Sequence, residues 1–71
     1  MIIGPSLQSR LRARRVELGL KQSELAQVLR VSKPLMCRWE REVDTPSVGR
    51  FLQWIDALGL EWNLTPRQGA K

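Results

Sequence analysis

Twelve lysines and arginines against seven aspartates and glutamates give this 71-residue chain a formal charge of +5. The excess is one-sided. Through Arg38, eight basic residues (Arg10, Arg12, Arg14, Arg15, Lys21, Arg30, Lys33 and Arg38) meet only Glu17 and Glu24, a balance of +6. From Trp39 onward four basic residues meet five acidic ones, a balance of −1. Cations gathered in this way hold a polyanion, although charge alone is equally compatible with a solvated basic face. Other chemistry is poorly supplied. There is no histidine, no tyrosine and one cysteine, Cys37. A lone thiol forms no internal disulfide and no tetrahedral zinc site. With no histidine to take its proton, it is also a poor nucleophile. The residues point to binding and not to an enzyme, with no metal or cofactor.

The elements that must position these cations fit within one domain. A chain this short buries only about 60% of its unfolded surface, so a second copy is one remedy for a small core. The opening Met-Ile-Ile-Gly-Pro has no basic region followed by a long apolar run. Neither a signal peptide nor a membrane span is expected, and the expected setting is a reducing cytosol.

Four helices are expected. The first covers 6–18, with Ser6 able to cap it and Leu7, Leu11, Ala13, Val16 and Leu18 as a ragged apolar stripe. Arg14 interrupts that stripe and must snorkel, and Gly19 is placed to end the helix. A short second helix at 22–29 turns Leu25, Ala26 and Leu29 inward. Ser32 is a good N-cap for a third at 33–41, with Pro34 in its first turn and Met36 and Trp39 inward. Thr45 and Pro46 read as N-cap and first residue of a fourth, with Val48, Phe51, Leu52, Ile55 and Leu58 buried and Gly59 at its end. The period then changes. Leu60, Trp62 and Leu64 alternate with Glu61, Asn63 and Thr65, as in a strand at about 60–65 with one face to bury.

Residues 22–41, QSELAQVLRVSKPLMCRWER, carry the most information. Two short helices meeting steeply around a tight turn need a small residue at the crossing, an apolar one in the turn and two apolar anchors beyond it. Ala26, Val31, Met36 and Trp39 meet those needs, which is the pattern of a helix-turn-helix. Over residues 7–60 the chain resembles the XRE/Cro family of phage and bacterial repressors. The resemblance rests on Gly-Leu-x-Gln-x-Glu-Leu-Ala, then Val-Ser, Arg-Trp-Glu-Arg, Pro-Ser and Ala-Leu-Gly. It implies an all-α, lambda-repressor-like bundle of four to five helices that binds duplex DNA and represses transcription. Two positions depart from the pattern: Arg30 in the turn and Glu42 after the third helix stand where glycine is usual.

The resemblance assigns roles residue by residue. Base-reading positions fall on Lys33, Pro34 and Arg38, with Leu35 and Cys37 nearby. Arg38 is the strongest of them, since a guanidinium can engage guanine O6 and N7 together. Lys33 can read a base or settle for phosphate. Leu35 is expected to point outward toward a thymine methyl, with packing against the fourth helix as the competing reading. Gln22 matches a glutamine that bonds phosphate and braces a reading side chain. Lys21, Ser32, Arg41 and Thr45 are further phosphate candidates, while Glu42 and Asp44 weaken their loop as a phosphate clamp. Arg15 and Glu40 match a partly buried structural ion pair between the first and third helices.

A narrower likeness concerns the two ends. The Gly-Pro-Ser lead-in to the first helix and the terminal Trp/Leu alternation resemble HipB-type antitoxins. That likeness implies a final strand, with Leu60, Trp62 and Leu64, pairing with its copy in a homodimer. It also implies an operator palindrome and a HipA-type serine/threonine kinase toxin as partner. Residues 67–71 do not match the end that contacts the toxin. The alternatives are a free-standing or phage-type regulator with no toxin and, more distantly, a protein-interaction adaptor.

Overall fold

The computed structural model describes residues 6–62. Four helices make up most of them: α1 Leu7–Glu17, α2 Gln22–Leu29, α3 Lys33–Glu40 and α4 Val48–Ala57. The architecture is the expected all-helical helix-turn-helix bundle, and no strand occurs among the described residues. Leu60, Glu61 and Trp62 lie in irregular chain, and Leu64 with the rest of the expected strand falls outside the described residues.

Serine hydroxyls start three of the helices. Ser6, Ser32 and Ser47 accept from the amides of Ser9, Leu35 and Arg50 at 3.0, 3.2 and 3.3 Å. Each satisfies an amide that a first helical turn leaves without a partner. At α2 the Glu24 carboxylate instead accepts from the Lys21 amide at 2.7 Å, which is half of a capping box.

All four helices end alike. Leu20, Val31, Val43 and Leu60 donate back to the carbonyls of Arg15, Ala26, Arg38 and Ile55 at 2.9–3.1 Å. The residue before each donor is left-handed: Gly19, Arg30, Glu42 and Gly59 have φ of 72°, 57°, 63° and 69°. These are four Schellman motifs. Two use glycine, while the pair on either side of α3 carry full side chains, each at a cost of about 1–2 kcal/mol. The turns at Arg30 and Glu42 therefore form despite the missing glycines.

The core is Leu11, Leu25, Ala26, Leu29, Met36, Trp39, Trp54, Ile55 and Leu58. Trp54 is fully buried and stacks on Trp39 and on Phe51, with ring centroids 5.9 and 6.0 Å apart. Two expectations need correction. First, α4 is capped by Ser47 and not by Thr45, so it starts two residues later and Pro46 is buried ahead of it. Its inward face is then Phe51, Trp54, Ile55 and Leu58, spaced i, i+3, i+4, i+7. Val48, expected inside, is 75% exposed in the first turn. Second, of the apolar stripe expected on α1 only Leu11 is buried; Leu7, Ala13, Val16 and Leu18 are exposed. Gln8 and Arg15, three and four residues to either side of Leu11, complete the inward face with polar groups.

Candidate nucleic-acid interface

The interface is built on a buried carboxylate. Glu40, at the end of α3, has no exposed side-chain surface and faces Arg15 of α1. Arg15 Nε and Nη2 donate to Glu40 Oε2 and Oε1 at 2.7 and 3.0 Å, a bidentate pair. A third donor on the same guanidinium, Nη1, reaches the Leu20 carbonyl at 2.7 Å. Gln22 Nε2 donates to Glu40 Oε1 at 2.9 Å, and Arg12 Nε stands 4.0 Å from the same oxygen. One carboxylate thus ties α1, the start of α2 and the end of α3. Burying a charge is tolerable only with partners of this quality.

Gln8 supplies a second tie that sequence reasoning missed. Its Nε2 donates to the carbonyls of Trp39 and Asp44 at 2.9 and 2.7 Å. The first turn of α1 therefore fixes both the end of α3 and the loop beyond it. Two more arginines serve helix-end carbonyls: Arg14 Nε reaches Leu58 O at 3.2 Å, and Arg50 Nη1 reaches Leu29 O at 2.9 Å. The snorkelling expected of Arg14 takes that form, with Nη1 also on Glu17 at 2.7 Å. Part of the basic excess is thus structural, in Arg14, Arg15 and Arg50.

The remaining polar residues stand on the surface around α3. Ser32, Lys33 and Pro34 are exposed at its N-terminus, and Arg38 follows one turn later. Leu35 is half-buried and packed against the core, which leaves only part of it to face outward. Cys37 is half-buried and free. Lys21 is exposed at the start of α2, beside the half-buried Gln22 that Glu40 holds. Arg41 and Thr45 are exposed in the segment between α3 and α4. Arg38 does not stand alone: its Nη2 lies 2.7 Å from Asp44 Oδ2. One of the loop's two acidic residues is thus a partner of the foremost base-reading candidate, which spacing along the chain did not disclose.

Such an arrangement suits duplex DNA. Two helix N-termini, at Gln22 and Lys33, carry the partial positive charge of unpaired amides. α3 packs on α2 with its own N-terminus exposed, and a helix has the width to enter a major groove. Among the described residues no helix is long and apolar enough to cross a membrane.

The helix-turn-helix family model matches residues 11–64, about three-quarters of the chain and all of α2 to α4. No curated protein and no solved structure matches the chain significantly. The shared segment contains the Ala26, Val31, Met36 and Trp39 packing and the exposed start of α3. The chain belongs to the helix-turn-helix family of the XRE type, the DNA-binding domains of transcription regulators.

Proposed function

We propose that this protein is a sequence-specific repressor that binds a palindromic operator as a two-fold dimer. The observation that carries this reading is the exposed Lys33, Pro34 and Arg38 on a helix whose other side is locked into the core by Met36, Trp39 and Glu40. In it, Lys33, Pro34, Arg38 and the outer part of Leu35 meet base edges. Lys21, Gln22, Ser32, Arg41 and Thr45 take phosphates. Gln22 keeps one amide hydrogen for a phosphate while the other is spent on Glu40.

Dimerisation rests on the segment after α4. Leu60 and Trp62 are apolar and exposed, Trp62 at 51%, outside any helix. In the sequence they alternate with Leu64, and paired as a strand such an apolar alternation would be covered by a copy of the same segment. A two-fold dimer places its reading helices about 34 Å apart, one turn of DNA. The finer reading, an antitoxin that holds a HipA-type kinase, is supported by the Gly-Pro-Ser lead-in and the same Leu60/Trp62/Leu64 alternation.

Selection from a randomised duplex library, with light scattering on the free protein, tests the main reading. A palindromic sequence and a dimer at micromolar concentration are expected, with Trp62→Asp shifting the mass to that of a monomer. A monomer on the wild-type chain, or no enriched sequence, would overturn it. For the finer reading, coexpression with a kinase-like neighbouring reading frame should recover a complex.

A further inference from the structure

We propose that Asp44 is the positioning residue for Arg38, and that it makes this arginine a reader of bases instead of an anchor on phosphate. The inference rests on the reading of α3 as the base-contacting helix.

An exposed arginine beside a polyanion ordinarily settles on the nearest phosphate oxygen, a contact blind to sequence. Arg38 is placed differently. Its side chain is 57% exposed, yet Nη2 is 2.7 Å from Asp44 Oδ2. The pair largely cancels the charge that would draw Arg38 to phosphate, and the carboxylate itself repels a phosphate brought close. The remaining guanidinium N–H groups stay available, and guanine O6 and N7 accept from such a donor pair by geometry, with no need of net charge.

Asp44 is fixed by its main chain and not by its side chain. Its carbonyl accepts from Gln8 Nε2 at 2.7 Å, and its amide points at the Arg38 carbonyl at 3.4 Å. The Val43 amide donates to that same carbonyl at 2.9 Å. The main chain of Asp44 is therefore held beside that of Arg38, within reach of the 2.7 Å contact between their side chains. Neutralising the carboxylate leaves every one of these main-chain bonds in place.

The test compares the full chain with Asp44→Asn on two probes: a fixed random-sequence duplex titrated over a salt series, and a randomised duplex library. On the fixed duplex, Asp44→Asn is expected to bind severalfold tighter. Its log–log salt slope should steepen by about 1, the release of one more counterion. In the library, the guanine preference that depends on Arg38 should fall about five- to tenfold. Asp44→Ser, which removes the same charge, must give the same two changes, and neither variant should move the melting temperature much. In an Arg38→Ala background, adding Asp44→Asn should leave the base preference where it is and move the salt slope by much less than about 1. An unchanged slope and preference for both Asp44 variants would overturn the proposal, as would the same slope change with Arg38 absent. If Arg38→Ala itself leaves the selected sequence untouched, the reading role of Arg38 falls and the proposal with it.

Discussion

Gln8 Nε2 lies 2.7 Å from the carbonyl of Asp44, 36 residues away, and the same nitrogen serves Trp39 O at 2.9 Å. A neutral amide thus sets how α3 and the following loop sit on α1. Gln8→Ala leaves the Asp44 carbonyl without its donor and the Trp39 carbonyl with the Glu42 amide at 3.2 Å alone. Leaving buried polar groups unsatisfied costs about 1–3 kcal/mol. Urea unfolding should register a loss of that size, and a variant within 0.5 kcal/mol of wild type, roughly the scatter of surface substitutions, would dismiss the tie. Gln8→Glu should be worse, since a carboxylate would face two carbonyl oxygens.

Removing one member of the Arg15–Glu40 pair leaves the other charge buried. Arg15 is 12% exposed at its side chain and Glu40 not at all. Glu40→Ala is expected to cost about 3–5 kcal/mol, enough to unfold a domain this small. Arg15→Met with Glu40→Leu should recover much of that loss, because the apolar pair has no charge to desolvate. Thermal melts of the single and double variants distinguish this from a purely additive loss.

Arg30 and Glu42 occupy left-handed backbone at the two turns flanking α3. Arg30→Gly and Glu42→Gly each relieve a Cβ clash of about 1–2 kcal/mol, less the added entropy of glycine in the unfolded chain. A net gain of roughly 0.5–1 kcal/mol per site is expected, additive because the turns share no partner. Unfolding midpoints that fail to rise at either site would mean the side chains offset the strain by contacts of their own.

Arg38→Ala should relax base preference at one position and cost about 1–3 kcal/mol on the selected sequence. Lys33→Ala, if Lys33 settles on phosphate, should weaken all duplexes alike and lower the salt slope by about 1. Equal loss on every sequence for Arg38→Ala would reduce it to a phosphate contact.

Much of this architecture was legible in the residue order. Helix α2 runs from Gln22 to Leu29 as expected, and Ser6 and Ser32 cap where their hydroxyls placed them. Local chemistry decides such boundaries, so local reading finds them. Where two caps competed, the choice failed: Thr45-Pro46 looked complete, yet Ser47 caps α4 because Pro46 goes into the interior. The inward face of α1 was misread for a different reason. Periodicity counts apolar residues, whereas Gln8 and Arg15 are inward through hydrogen bonds to partners 25 to 36 residues away. The Arg38–Asp44 pair was hidden likewise, since it forms only when the α3–α4 loop folds back.

The tryptophans give the molecule two optical channels. Trp39 and Trp54 lie 5.9 Å apart and buried, close enough to couple in near-ultraviolet dichroism, a signal that vanishes when the core opens. Trp62 is exposed in the irregular chain beyond α4, where iodide can quench its emission. A second copy covering Trp62 would shift that emission to the blue and shield it, with the dichroism unaltered. Folding and self-association can therefore be followed separately on the unlabelled chain.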